Sequence, residues 1–226
     1  MKLYVVGIGP GNPELLTLKA KNILEKISLI FYPTGGKNRT ALSIIEKIVD
    51  LKHKTLIPLH FPMKKTRNTD LNLHWQKLAE TILKNLEFFK EAVFITLGDP
   101  SFYCTFFYLY PFLKDKIKVK IIPGVSSINA CACAIPVSLA LGDETIAIIP
   151  ANYVNRIKNL LYEFNTIIFM KPHKSLNKIF DFLEDEKFQV YGVKNASSSE
   201  EKIFLDIDDF KKEDLNYFTT IIVRKK

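Results

Sequence analysis

Short apolar runs rich in β-branched and aromatic residues alternate with helix-period segments along this chain, and glycine or proline closes most of them. Leu3 to Ile8 runs into Gly7-Ile8-Gly9-Pro10-Gly11, Leu29 to Tyr32 stops at Pro33, and Ala92 to Leu97 stops at Gly98-Asp99-Pro100. Between them lie a segment capped by Asn12 and Pro13 with an apolar stripe at Leu16, Ala20, Ile23, Leu24 and Ile27, then Thr40 to Val49, the run Thr55 to Leu59, and Leu73 to Phe89. Strands separated by helices must be joined by crossovers, which predicts an α/β fold with mostly parallel sheets covered on both faces.

An aromatic helix is expected from Phe102 to Leu113, and the lysine-rich stretch Lys114 to Lys120 reads as a link between two α/β domains, residues 1–116 and 117–226. A second series follows the link. It comprises strand Val119 to Ile122, a helix from Ser126, strand Thr145 to Ile149, helix Val154 to Phe164, strand Thr166 to Met170, helix Leu176 to Leu183 and strand Gln189 to Val193. Lys202 to Leu205 and Phe218 to Val223 read as strands joined by an acidic turn, so antiparallel pairing is expected late in the second domain.

With 226 residues, 47% of them hydrophobic and 25% charged, the chain lies far from disordered and fibrous compositions. Its net charge of +8 favours an acidic partner. The basic residues are scattered in the manner of solvated faces, which argues against nucleic acid as that partner. Three cysteines, Cys104, Cys131 and Cys133, make no CxxC pair and leave one unpaired in any disulfide scheme, as in a reducing compartment. No apolar stretch reaches the roughly 18 residues that a membrane span needs. A cytoplasmic protein without a membrane partner is expected.

The common catalytic signatures fail in turn. In the first glycine-rich turn the third glycine of a dinucleotide fingerprint is replaced by Asn12, and no acidic residue follows at the end of the next strand. No Walker lysine follows a glycine loop, and Ile128 occupies the second glycine position of a nucleophile elbow at Gly124-Val125-Ser126-Ser127. His53, His60, His74 and His173 have no metal-ligand spacing, so no metal is expected. Gly98-Asp99-Pro100-Ser101-Phe102-Tyr103 is more informative. Asp and Pro at the end of a buried strand suit a turn into a crevice, and open parallel sheets bind ligands at that edge; the same residues also suit a plain Asp-Pro turn.

Five blocks together resemble the tetrapyrrole (uroporphyrinoid and corrin) methylases, and within them the precorrin-2 and cobalt-factor II C(20)-methyltransferases. They are Gly7 to Ala20, Phe61-Pro62-Met63 with Trp75 downstream, Thr96 to Tyr103, Pro123 to Ser127, and Gly142-Asp143-Glu144. The resemblance implies S-adenosylmethionine as methyl donor, bound in a cleft between two α/β domains, a homodimer, and a tetrapyrrole substrate of cobalamin biosynthesis. Carried over by position, Leu97, Gly98, Asp99 and Phe102 hold the methionine and ribose parts, and Ser126 and Ser127 add polar contacts. Met170 and Ala196 meet the adenosine, Pro10 lies on the cleft floor, and Thr220 or its neighbour Thr219 completes the set.

The sequence departs from the family in two places. Pro33 stands where some relatives carry a candidate base, and Cys104 replaces the usual serine after Tyr103. The implied reaction methylates a meso carbon, with Tyr103 the candidate for a substrate or catalytic contact. Because the sulfonium is already activated, the protein's part is chiefly positioning. The substrate's acetate and propionate groups give the net positive charge a purpose, with Arg39, Lys64, Lys65 and Arg67 as candidate partners. Other methylases of the same fold act on ribosomal RNA or make diphthine, and a non-catalytic binder of acidic ligands is the reading from a different class.

Overall fold

The computed structural model describes residues 1–35, 40–62, 69–151, 157–172, 180, 183, 187–213 and 215–226. The chain forms two compact units, Met1–Ser126 and Ser127–Lys226.

In the first unit, β1 (Lys2–Gly7), β2 (Leu29–Thr34), β3 (Thr55–His60), β4 (Glu91–Thr96) and β5 (Lys118–Ile122) form one sheet in the order β3-β2-β4-β1-β5. Every pairing in it is parallel. Both faces are apolar because both are covered. Leu3, Val5, Phe31 and Phe94 pack with Trp75, Ala79, Ile82 and Leu86, which recur at helical spacing on α3 (Thr69–Phe89). Val6, Ile30, Val93 and Ile95 face the opposite way, onto Ala20 and Leu24 of α1 (Leu18–Lys26) and Ala41, Leu42 and Ile45 of α2 (Thr40–Ile45). Each buried Val, Leu, Ile or Phe among them contributes about 1.5–3 kcal/mol by leaving water.

Three sequence expectations are corrected here. The helix expected from Asn12 is split: Asn12 caps a 3-10 turn over Pro13–Leu15, Leu16 is extended, and Thr17 caps α1 by accepting the Ala20 N–H at 3.2 Å. The aromatic helix also breaks, into a 3-10 turn at Thr105–Tyr108 and α4 (Tyr110–Leu113). Tyr103 sits at φ 52, outside helical space, and Pro111 has no N–H to continue the ladder. The third correction concerns the domain boundary. The strand at 118–122 pairs with β1 from Lys2↔Lys118 to Val6↔Ile122, so it belongs to the first sheet and the division falls after Ser126. Lys118 and Lys120 resemble a linker in sequence because they lie on an edge strand, where lysines deter pairing with other chains.

The second unit holds β6 (Ile146–Pro150), β7 (Thr166–Met170), β8 (Phe188–Lys194), β9 (Lys202–Phe204) and β10 (Thr219–Lys225), in the order β6-β7-β10-β8-β9. Only β6 and β7 pair in parallel; the rest is antiparallel, as expected late in the chain. On one face α5 (Ser127–Ala134) sets Cys131 and Ala132 against Val193, Ala196 and Ile222. On the other, Ile157 and Leu161 of α6 (Ile157–Glu163) pack with Phe169, Phe204, Phe210 and Ile221. The acidic turn expected between the last strands contains a short helix, α7 (Ile207–Lys211), capped by Asp206 through the Asp209 N–H at 2.9 Å. β9 and β10 flank β8 and do not pair with each other. Residues 154–156 and most of the expected helix 176–183 lie outside the described residues.

Candidate functional site

The ends of β1, β4 and β5 converge on a cluster of glycines at the carboxyl edge of the first sheet. Gly98 donates its N–H to the Gly9 carbonyl at 2.8 Å and accepts the Gly9 N–H at 3.3 Å, an isolated antiparallel bridge between the loops after β4 and β1. Both residues are in the left-handed region, at φ 68 and φ 79, which glycine enters without steric cost. Gly7 and Gly124 are required by close approach. A Cβ on Gly7 would lie 2.7 Å from the Gly98 oxygen and 2.8 Å from the Gly124 nitrogen, and one on Gly124 would lie 2.5 Å from the Gly98 oxygen.

Asp99 ties this cluster together. Its Oδ2 accepts the Gly124 N–H at 2.8 Å, and its Oδ1 accepts the Ser101 N–H at 2.7 Å together with the Ser101 hydroxyl. One carboxylate therefore fixes the loop after β4 to itself and to the loop after β5. Around it Leu97 and Pro10 are half-buried, while Phe102 and Tyr103 are exposed. The Cys104 thiol is buried and donates to Thr96 Oγ1 at 3.4 Å, so it points back into the sheet. Burial pushes this thiol up from its ordinary range, against the opposing effect of the Thr96 hydrogen bond.

The second unit arranges its candidates on the face that carries α5. Strand register sets Thr220 opposite Met170 on one side and Val193 on the other, and Ala196 follows two residues after the end of β8. Ala196 and Thr220 are buried and Met170 half-buried. Ser126, the last residue of the first unit, is buried, and Ser127, which opens α5, is half-buried. The Cys131 thiol, held under this face, is pushed up to about 12 by burial, with a hydrogen bond to Thr220 acting the other way.

Backbone strain marks the same places. Of the six non-glycine residues at positive φ among the described residues, Tyr103, Lys171, Asn195 and Ser197, at φ 52, 60, 53 and 60, adjoin the candidates Phe102, Met170 and Ala196, while Lys90 and Pro136 lie away from them. Such conformations cost about 1–3 kcal/mol each and cluster where ligands are held. Neither these dihedrals nor the partnership of Asp99 with Ser101 and Gly124 has a signature in the sequence.

Arg39, Lys64, Lys65 and Arg67 lie outside the described residues. Phe61 is buried, and its ring stacks on Trp75 at 5.5 Å, so the first residue of the Phe61-Pro62-Met63 block supports the core. An open groove of about 460 Å³ between α1 and β5, lined by Tyr4, Lys19, Lys26 and Lys120 among others, contains none of the candidates. Among the described residues no cluster of His, Cys, Asp and Glu could hold a metal ion, and no helix is long and apolar enough to cross a membrane.

A glycine cluster at the carboxyl edge of a fully parallel sheet, followed in the chain by a second, mixed sheet, defines a two-unit α/β protein. Residues 2–209 match the family of tetrapyrrole (corrin/porphyrin) methylases, and the chain belongs to that family. It is 35% identical, over 100% of its length and 96% of the relative's, to a protein of Methanocaldococcus jannaschii named probable cobalt-precorrin-2 C(20)-methyltransferase. It is 26% identical, over 100% of its length and 97% of the relative's, to the cobalt-precorrin-2 C(20)-methyltransferase of Salmonella typhimurium. Among solved structures, a cobalt precorrin-4 methyltransferase superposes with a TM-score of 0.74 at 20% identity, covering 99% of this chain and 94% of that one. The uroporphyrin-III C-methyl transferase of Thermus thermophilus, complexed with S-adenosylhomocysteine, gives 0.70 at 16% identity, covering 99% and 97%.

Proposed function

We propose that this protein transfers a methyl group from S-adenosylmethionine to C(20) of cobalt-precorrin-2, a step of cobalamin biosynthesis. The observation that carries the reading is the full-length similarity, at 35% identity, to a relative of that name. Two relatives named for the cobalt-containing ring match over the whole chain, whereas one named for precorrin-2, 26% identical, matches over 79% of it, and this supports the cobalt form.

The residues present fit the donor. Close backbone packing at Gly7 and Gly124 fixes the Gly98 turn and Asp99 ties it to the loop after β5, so the Leu97-Gly98 backbone is presented to a ligand in one conformation. Leu97, Gly98 and Phe102 take the methionine and ribose parts, with Pro10 as a further contact. Met170, Ala196 and Thr220 take the adenosine, and Ser126 and Ser127 add polar contacts. The bound donor supplies a methyl group already activated on sulfonium.

What remains for the chain is alignment of the two reactants, the effect for which effective molarities are largest. A strained loop over Phe102 and Tyr103 suits that task, because a conformation fixed beforehand need not be ordered during the reaction. Tyr103, 43% exposed and four residues after Asp99, is the candidate for contact with the ring. Basic side chains, with Arg39, Lys64, Lys65 and Arg67 as candidates, pair with its carboxylates.

The test is anaerobic turnover with S-adenosylmethionine carrying a ¹³C-methyl group, followed by carbon NMR of the tetrapyrrole. A labelled methyl on C(20) is expected. Label on a different carbon, or on RNA or protein offered in its place, would overturn the assignment.

A further inference from the structure

One feature of the first unit is not used by the donor site. Phe61, Trp75 and Tyr108 form a column of stacked rings: Phe61 on Trp75 at 5.5 Å and 26°, and Trp75 on Tyr108 at 5.3 Å and 12°. The column grades from core to solvent, with Phe61 6% exposed, Trp75 9% and Tyr108 47%. It is also braced. Phe61 donates its N–H to the Thr34 carbonyl at 2.7 Å, and His74 lies edge-on to Trp75 with Nε2 2.7 Å from the His60 carbonyl.

The column stands at the carboxyl ends of the strands. Phe61 follows the last residue of β3, Trp75 lies early on α3, and Tyr108 closes the 3-10 turn that begins six residues after Asp99. A rigid surface aromatic whose inner face is stacked on a buried ring offers its outer face to a further parallel layer. A flat conjugated ligand fits that position.

Resting on the functional reading above, we infer that Tyr108, backed by Trp75 and Phe61, is the platform on which one face of the tetrapyrrole stacks. Tyr108 sets substrate affinity and takes no part in binding the methyl donor. Trp75 and Phe61 are positioning residues that hold its ring plane.

Trp75 is the single tryptophan of the chain and so a built-in reporter. The experiment titrates uroporphyrin III, a stable flat polycarboxylate tetrapyrrole, into the full-length protein while following tryptophan fluorescence. Turnover of cobalt-precorrin-2 is measured in parallel. The variants are Tyr108→Ala, Tyr108→Phe, and Phe88→Ala as a control on an 82% exposed ring near the far end of α3, about 20 Å along the helix from Trp75.

Tyr108→Ala is expected to weaken porphyrin binding and raise KM by about tenfold, the scale of one lost aromatic stack, with affinity for S-adenosylhomocysteine unchanged. Tyr108→Phe and Phe88→Ala should match the parent protein. Equal porphyrin affinity and KM in Tyr108→Ala would overturn the platform and leave the C(20) reading standing. A Tyr108→Ala protein that lowers the mass in sedimentation would also overturn it, by assigning this ring to an interface between copies. Porphyrin binding that depends on Tyr108, in a protein that methylates no ring, would support the platform and refute the C(20) reading.

Discussion

Replacing Asp99 separates a residue that shapes the donor site from one that touches the donor. Its half-buried carboxylate accepts the Gly124 N–H at 2.8 Å, and a hydrogen bond to a charged acceptor contributes about 1.5–3 kcal/mol. The Ser101 contacts are exposed and add about 0.5–1 kcal/mol. Asp99→Ala should therefore cost about 2–4 kcal/mol, and Asp99→Asn, which retains one carbonyl acceptor for two backbone donors, roughly half of that. At about 2–4 °C per kcal/mol for a chain of this size, the alanine variant should melt some 4–16 °C earlier. Scanning calorimetry measures this, and titration with S-adenosylhomocysteine measures the consequence. Affinity should fall at least about tenfold in both variants, because the Gly98 and Gly124 backbones lose their common anchor; that loss matches about 1.4 kcal/mol. An alanine variant that melts with the parent yet loses the ligand would refute this reasoning and make Asp99 a direct contact.

Other perturbations follow from the same geometry. Gly192→Ala would set a Cβ 2.3 Å from Cζ of Phe210, a ring 1% exposed and stacked on Phe204 at 4.6 Å; overpacking of about 1–3 kcal/mol should appear as a lower unfolding midpoint in urea. Thr219 Oγ1 is buried with no protein hydrogen-bond partner among the described residues, so Thr219→Val should raise stability by up to about 1 kcal/mol, read as a higher melting temperature in scanning calorimetry. In native protein, iodoacetamide should modify exposed Cys133 and spare buried Cys104 and Cys131, as peptide mass mapping would show. Because the folded Cys131 thiol titrates near 12 against an ordinary value of 9.0, its contribution to stability is fully present below pH 9 and declines as the pH rises towards 12. A Cys131→Ala variant should show a shallower loss of stability over that alkaline range.

Much of the first sheet was legible because fully buried parallel strands are continuous apolar runs closed by turn residues. Gly98-Asp99-Pro100 stood out for the same reason, as polar and cyclic residues at the end of such a run. The purpose of Asp99 was not legible, since its partner Gly124 lies on a different strand's loop, and the two meet only because β4 and β5 flank β1 on either side. Lys118 and Lys120 misdirected the domain boundary because charge on an edge strand and charge in a linker look alike in one dimension. The aromatic segment misled for a local reason: Tyr103 and Pro111 break a helix that its apolar content favours. Phe61, Trp75 and Tyr108 were visible singly, but a stack assembled from a strand end, a helix and a 3-10 turn has no signature in sequence spacing.

The central claim is that this chain methylates one carbon of a cobalt-containing tetrapyrrole. Its most direct test is an anaerobic incubation of the full-length protein with S-adenosylmethionine and either cobalt-precorrin-2 or metal-free precorrin-2, read by mass spectrometry of the ring. The account predicts a gain of one methyl group on cobalt-precorrin-2, at a rate well above that on the metal-free ring. Binding of S-adenosylmethionine with no methyl gained by either ring would contradict it.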